Sequence, residues 1–186
     1  MLVSVVVIAA VAGCLGLGAC AGSPQRPIAT VAHVDLPRFM GDWYVIASIP
    51  TFLETGAHNA MESYALNADG SVATTFAFNA GDFTGPRKIH HPTGYVRDAA
   101  SNAVWGMMFL WPFKAEYRVL WLDQGYSQTV IGRSERDYAW IMARAPSIPE
   151  SDYAQMVHFL AAEGYDTAKL QRVPQQWPAS AAAQQP

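Results

Sequence analysis

The chain has 186 residues, of which 15% are charged and 12% aromatic, and this length suits one domain with short extensions. Its formal net charge of −3 excludes the basic surface that a nucleic-acid partner requires. Both cysteines lie within the first 20 residues, which excludes a disulfide, a cysteine nucleophile and a cysteine-ligated zinc site from the rest of the chain.

The N-terminal segment, residues 1–19, is predicted to be a signal peptide. Its strongly apolar stretch runs from Val5 to Ala12, which fits a signal peptide better than the roughly 20 residues of a spanning helix. Leu17-Gly18-Ala19-Cys20 resembles a bacterial lipobox, in which the cysteine is lipidated and becomes the first residue. Cys14 follows a similar pattern and remains an alternative, although cleavage there would leave a short apolar stub.

Residues 20–36 are predicted to be the lipidated N-terminus and a tether, because the stretch after Cys20 is polar and contains proline. Membrane attachment is expected through this lipid anchor. Ala21 follows the lipidated cysteine, where aspartate would signal retention in the inner membrane. The sequence therefore favours the outer membrane, with the domain facing the periplasm.

From about Pro37 the chain reads as short β-forming runs separated by turn residues. Eight closely spaced strands with no helix between them predict an antiparallel, up-and-down meander, which can close into a barrel. Pro92 marks a weak point or a bulge in the fourth strand. The predicted strands cover residues 42–49, 60–66, 71–79, 88–97, 103–109, 115–123, 127–132 and 137–144.

A helix is predicted after the last strand. Ser147 and Glu150 have the spacing of a capping box, and Gly164 is placed to end the helix. One apolar face is expected to pack against the outside of the barrel. It consists of Tyr153, Met156, Val157 and Leu160. Residues 174–186, rich in Gln, Ala and Pro, are predicted to be a flexible tail.

Three ordered motifs resemble those of the lipocalin family. Gly41-Asp42-Trp43-Tyr44 looks like the first motif, the run from Tyr117 to Asp123 the second, and the run from Tyr138 to Arg144 the third. The resemblance is closest to bacterial lipocalins similar to apolipoprotein D, and it implies an all-β, eight-stranded lipocalin barrel with an outer C-terminal helix over residues 37–173. It also implies that Trp43 and Arg144 seal one end of the barrel and that Gly41 allows a tight entry into the first strand.

The resemblance implies a hydrophobic ligand, such as a fatty acid or lysophospholipid, that is stored or transported in the cell envelope. Strand alternation from Trp43 and Arg144 predicts which side chains face this ligand. It also places Ala47, Ile49 and Trp121 inside. Tyr64 and Tyr95 are expected to offer hydroxyl groups to a head group. The predicted ligand-binding residues are Tyr64, Tyr95, Trp105, Met107, Tyr117, Val119, Trp140 and Met142; in the simpler interpretation these aromatic residues only fill the core.

No enzyme, cofactor or metal site is expected. His90 and His91 are adjacent, and on a strand they would point to opposite faces and could not easily share a metal. Glu54, Glu62 and Glu116 have no evident partner in the sequence. Arg87-Lys88 could attract an anionic head group near the barrel mouth, although a solvated turn is the simpler interpretation.

Two other functions remain open. The first is a lipid-modifying enzyme on the same fold, since a fold alone does not settle function. The second is an interaction module whose surface would be the apolar run from Met107 to Trp111; that run could instead touch a membrane. The sequence leaves monomer and homodimer both possible.

Overall fold

The computed structural model describes residues 26–178. The predicted signal peptide, the cysteines at positions 14 and 20, and residues 179–186 lie outside this range. Among the described residues, no helix is long and apolar enough to cross a membrane.

Ten strands and two α-helices make up the described part of the chain. The strands are β1 (Gly41–Ile49), β2 (Ala57–Leu66), β3 (Val72–Ala80), β4 (Arg87–His90), β5 (Thr93–Val96), β6 (Val104–Leu110), β7 (Phe113–Leu122), β8 (Gln128–Gly132), β9 (Ala139–Ala143) and β10 (Gln171–Arg172). The helices are α1 (Leu36–Phe39) and α2 (Glu150–Ala162), and a 3-10 helix spans Thr167–Lys169.

The strands close into the predicted eight-stranded antiparallel barrel. β4 and β5 together form the fourth barrel strand. It is interrupted at Pro92, where the sequence indicates a weak point or a bulge. Successive barrel strands pair along the chain, and β9 returns to pair with β1. Closure satisfies the backbone groups that an open sheet would leave at its edges. We call the end where Gly41 begins β1 the closed end, and the end where Ile49 finishes it the open end.

The β2–β3 hairpin shows how the sequence specifies this architecture. Gly70 has a φ of +80°, which glycine adopts without strain, and its N–H donates to the Asn67 carbonyl at 3.0 Å. The chain then reverses into β3, where Val72, Thr74 and Phe76 alternate along the buried face. Turn residues and period-two alternation therefore produce the hairpin that the sequence predicts.

Two register shifts reverse the direction of side chains, one toward the open end of β1 and one toward the closed end of β7. The β1–β9 ladder shifts between Val45 and Ala47, so Ala47 and Ile49 pack in the outer cluster under α2 rather than inside. The β7–β8 ladder shifts between Val119 and Trp121, and Trp121 also packs against the outer cluster. The inward orientation predicted for these three side chains is wrong because one extra residue inverts the alternation.

The short helix α1, which the sequence analysis did not predict, crosses the closed end. The Asp35 side chain accepts a hydrogen bond from the Arg38 N–H at 3.3 Å, and Pro37 lies in the first turn. Both features favour helix initiation. Phe39 is the last residue of this helix, and its fully buried ring lies in the barrel interior.

Helix α2 packs outside the barrel, as predicted. Its apolar face contacts the outer wall through Tyr153, Met156, Val157 and Leu160. Gly164, with a φ of +89°, follows the end of the helix. The predicted capping box is wrong, because the cap residue is Pro149 and no side chain, including that of Ser147, caps the helix.

Segments at both ends of the described range are more ordered than the sequence predicts. Ile28 and Val34 are buried, and Val31 N–H donates to the Val119 carbonyl at 3.0 Å. Residues 26–36 therefore pack on the barrel instead of forming a free tether. The flexible tail predicted from residue 174 is also wrong for residues 174–178, since the Trp177 ring packs 5.2 Å from the Tyr44 ring.

Candidate functional site

The closed end is sealed by an indole and a guanidinium group. The Trp43 side chain is fully buried, and its Nε1 donates to the Phe39 carbonyl at 2.9 Å. The Arg144 Cζ lies 3.9 Å from the centroid of the Trp43 ring, a cation–π arrangement. Arg144 also donates to the carbonyls of Asp42 and Met40, each at 2.7 Å. This one side chain ties the end of β9 to the start of β1.

Burial lowers the pKa of Arg144 to about 10, against the opposing effect of the nearby Asp42 carboxylate. The guanidinium group therefore keeps its charge at neutral pH. Gly41, beside it, has a φ of +91°, and a Cβ there would lie 3.3 Å from Arg144 Nη1. A side chain at position 41 would strain the backbone and crowd the guanidinium.

Aromatic rings fill the half of the barrel next to this seal. The Phe39 ring meets the Trp105 ring edge-on at 5.6 Å, and the Trp105 ring stacks on that of Tyr117 at 5.1 Å. The Tyr64 ring lies 5.7 Å from Phe39. These packed rings form a floor, so the empty space lies in the half of the barrel toward the open end.

A cavity of about 550 Å³ lies above this floor. This volume is within the range of small-molecule sites, roughly 300–1,000 Å³. Most of its wall is apolar or aromatic, including Phe52, Leu53, Phe76, Met107, Phe109 and Trp140. The cavity has the shape and surface required to take up an apolar molecule from the open end.

The eight residues predicted to bind a ligand divide into groups. The cavity wall contains three of them: Met107, Tyr117 and Trp140. Tyr64 lies at the floor, where its hydroxyl is 2.8 Å from that of Tyr117. The packed interior contains three others: Trp105, Val119 and Met142.

Tyr95, the eighth, lies on the outer face of the barrel. A Cβ at Gly94 would lie 3.1 Å from Met107 Sδ, which shows that Gly94 faces inward. Its neighbour Tyr95 therefore faces outward, and its ring lies 3.7 Å from the Lys114 Nζ. The prediction that the Tyr95 hydroxyl meets a ligand inside the barrel is wrong.

The carboxyl group of Glu62 lies at the floor of the cavity. Glu62 pairs with Trp43 across β1 and with Phe76 across β3, so its side chain points inward, where it accepts a hydrogen bond from the Tyr64 hydroxyl. Burial, together with the charge of Glu54, raises the pKa of Glu62 to about 8. Burial and Glu62 likewise raise the pKa of Tyr117. Near pH 7 this cluster is mainly an uncharged set of hydrogen-bonding groups.

A second carboxyl group lies beneath the loop between β1 and β2. The buried Glu54 accepts hydrogen bonds from the Trp140 Nε1 at 3.0 Å and from the Thr51 N–H at 2.9 Å. Burial raises the pKa of Glu54, and the hydrogen bonds from Thr51 and Trp140 oppose this shift. The contact holds the Trp140 indole against the cavity.

The expectation that three glutamates lack partners is wrong. Glu54 and Glu62 have the contacts described above. Glu116 pairs with Arg118 at 2.9 Å and accepts a hydrogen bond from the Ser134 N–H at 2.6 Å.

Basic side chains also line the cavity. Arg133 lines the mouth and pairs with Asp137 at 3.3 Å. His90 stacks near Phe76, with ring centroids 6.3 Å apart. His91 instead lies beside Thr75, 3.2 Å from its hydroxyl. Across residues 26–178, no group of three or more His, Cys, Asp or Glu side chains is placed to hold a metal ion.

Sequence reasoning missed Glu54 and Glu62 as cavity residues. Glu62 stands two residues before Tyr64, and because side chains two apart share a strand face, the inward assignment of Tyr64 already implied that of Glu62. Glu54 lies in a loop, where no periodicity gives its direction.

Comparisons with known proteins agree with this geometry. The family model described as the lipocalin-like domain matches residues 34–175. The chain is 30% identical over 168 residues to the outer membrane lipoprotein Blc of Citrobacter freundii, covering 88% of this chain and 93% of the relative. It is 30% identical over 160 residues to temperature-induced lipocalin-1 of Arabidopsis thaliana, covering 81% and 84%. Insecticyanin from the tobacco hornworm Manduca sexta shares the fold, with a TM-score of 0.63 at 14% identity over 86% of this chain and 88% of that one.

Proposed function

Because this chain belongs to the lipocalin-like domain family, we propose that it binds a single hydrophobic ligand with a long acyl chain, a fatty acid or a lysophospholipid. The observation that carries the proposal is the apolar cavity of about 550 Å³ above the aromatic floor. Each methylene group of an acyl chain that leaves water for this cavity contributes about 0.8 kcal/mol.

The polar groups favour one orientation of the ligand. The carboxyl groups of the buried Glu54 and the half-buried Glu62 lie at the cavity wall, and ionising either beside a carboxylate or phosphate would be unfavourable. Arg133 lines the cavity from the loop that follows β8 at the open end, and Arg87 and Lys88 are exposed at the start of β4 at the same end. We therefore propose that the acyl chain enters first and that the anionic head group stays at the mouth.

We further propose that the protein binds and carries lipid in the cell envelope rather than catalysing a reaction. Its relative from Citrobacter freundii is named an outer membrane lipoprotein, and the lipobox ending at Cys20 gives this chain the same means of attachment. The proposed location is the periplasmic face of the outer membrane. Recovery of a chemically altered lipid after incubation would favour an enzyme instead.

Blocking the cavity tests the proposed site. Ala115 lies on the cavity wall near the mouth and is solvent-exposed, so Ala115→Trp fills space without disrupting the packed interior. We expect the affinity for a fluorescent long-chain fatty acid to fall at least about tenfold, or about 1.4 kcal/mol. Fluorescence titration measures the change.

Ala73→Trp is the matched control, because Ala73 is exposed on the outer face of β3. Its affinity is expected to equal that of the unmodified protein. Equal affinities for both variants, or no binding of long-chain lipid by the unmodified protein, would refute the proposed site.

A further inference from the structure

An apolar rim surrounds the open end of the barrel. We define it as Phe52, Ile89, Phe109, Trp111 and Phe113, which belong to the β1–β2 loop, to β4 and to the β6–β7 hairpin. Phe52, Trp111 and Phe113 are 85%, 79% and 73% exposed. Folded proteins in water rarely expose clustered large apolar side chains unless the cluster contacts a partner or a membrane.

The closed end does not share this feature. Leu66, the last residue of β2, is the one large apolar side chain exposed there within residues 26–178. The exposed aromatic side chains therefore lie around the entrance of the cavity and not at the opposite end of the barrel.

The N-terminal segment also reaches the open end. The Arg26 carbonyl accepts a hydrogen bond from Arg136 Nη2 at 2.6 Å, and Arg136 lies in the loop between β8 and β9 at that end. From there the chain runs along the barrel, past the Val31–Val119 hydrogen bond, to Val34, whose N–H donates to the Ser101 carbonyl at 2.7 Å. The described chain therefore starts beside the open end and proceeds toward the closed end.

The predicted lipid anchor is close to this starting point. Cys20 precedes Arg26 by six residues, which span at most about 20 Å when fully extended. An acyl anchor at Cys20 therefore holds the barrel close to the membrane at its open end. Exposed Arg87, Lys88 and Lys114 lie near the apolar rim and complement the negative charge of anionic lipid head groups.

We propose that the apolar rim docks on the lipid bilayer that holds the anchor, so that the mouth of the cavity opens directly onto the membrane surface. Aromatic side chains such as those of the rim favour the boundary between head groups and acyl chains. Docking gives a lipid a path from bilayer to cavity without crossing water. β4 pairs with β3 and has no pairing with β6 in the described chain, which leaves the barrel wall split beside Phe109 at the mouth.

Site-specific labelling of the full acylated chain tests the docking. This inference rests on the proposed anchor at Cys20, and residues 21–186 contain no cysteine, so Phe113→Cys and Leu66→Cys each create one thiol for an environment-sensitive dye. The proteins are placed in vesicles of phosphatidylethanolamine and phosphatidylglycerol. We expect the dye at position 113 to shift its emission to the blue and to be quenched by spin-labelled lipid, while the dye at position 66 stays in water.

Three outcomes separate docking from the other proposals. A dye in water at both positions, or in the membrane at position 66 alone, overturns the docking. Labelling of the unmodified chain shows a free thiol at Cys14 or Cys20 and overturns the processed, acylated Cys20 on which the docking rests. Lipid content, measured on the same samples by mass spectrometry, tests ligand binding separately. A protein that holds lipid while the dye at position 113 stays in water contradicts the docking but not the proposed ligand binding.

A double variant tests the consequence for lipid transfer. Trp111→Ser with Phe113→Ser removes two side chains that are absent from the cavity wall, so the affinity for a monomeric fluorescent fatty acid is expected to stay the same. Uptake of lipid from vesicles is expected to slow by about tenfold, because insertion of apolar side chains contributes to membrane binding. Leu66→Ser is the control, and equal uptake by all three proteins contradicts the docking.

Discussion

Glu62 places a carboxyl group inside the barrel, beside Tyr64 and above the aromatic floor. Burial raises its pKa to about 8, whereas in the unfolded chain a glutamate titrates near its ordinary value of about 4.3. The folded state therefore holds a proton that the unfolded chain releases as the pH rises between these two values. The Glu62 contribution to stability is full below the lower value and is lost as the pH rises through the upper one.

We predict that Glu62→Gln reduces this loss of stability with pH. The amide side chain of the variant would keep an acceptor for the Tyr64 hydroxyl without a titrating group. The free energy of unfolding of the unmodified protein should fall by at most about 1.4 kcal/mol per pH unit more than that of the variant. Chemical denaturation at pH 5, 7 and 9 measures the difference.

Glu135→Gln provides the control for this series, because the Glu135 side chain is 59% exposed. Its stability should follow that of the unmodified protein at every pH. Parallel curves for Glu62→Gln and the unmodified protein would show that Glu62 titrates as it would in water.

For single residues, the sequence predicts the direction of a side chain where a strand alternates regularly. It does not predict that direction where the structure is locally irregular. Met107, Tyr117 and Trp140 reach the cavity wall as strand parity indicates. Tyr95 does not reach the cavity wall, because its neighbour Gly94 faces inward. Glycine has no side chain, so the sequence does not show the alternation at this position. The position of Glu54 depends on a loop conformation and on its contact with Trp140, which is distant in sequence.

At the scale of elements, the C-terminal segment completes the wall between β1 and β2. These strands pair only between Gly41–Tyr44 and Met61–Tyr64, and toward the open end β10 pairs with β1 instead. The Gln175 side-chain amide then donates to the carbonyls of Val45, at 2.7 Å, and Ala60, at 3.0 Å. Both carbonyls lie where the neighbouring ladders shift register.

We predict that Gln175→Ala destabilises the protein by about 1–3 kcal/mol, because it leaves these carbonyls without their donor. Gln176→Ala is the matched control, since Gln176 is exposed and its described bonds are made by the backbone. Thermal and denaturant unfolding give the comparison. Equal stability of the two variants would mean that residues 174–178 contribute little to the wall.

Composition predicted a flexible tail and could show neither that β10 forms nor that residues 174–178 are ordered. Their order comes from carbonyl groups of β1 and β2 that become available only after the barrel has formed. The outward orientation of the Ala47 and Trp121 side chains also depends on contacts between strands. A bulge is a property of two paired strands, and the sequence of one strand does not display it.

At the scale of the whole molecule, the barrel has two different halves. The half near Trp43 and Arg144 is packed with aromatic rings, and the half near the apolar rim contains the cavity. Eight strands and their order could be predicted because turn residues and alternation are local signals. The extent to which side chains fill the interior could not be predicted from the sequence, because it depends on which aromatic rings contact each other across the barrel.

Native mass spectrometry of the full chain, purified from its host in mild detergent, tests directly whether the cavity holds a lipid. We expect one lipid with a long acyl chain per protein chain, and loss of that lipid in Ala115→Trp but not in Ala73→Trp. Protein that carries no lipid, and takes up none when fatty acid or lysophospholipid is added, would contradict this expectation.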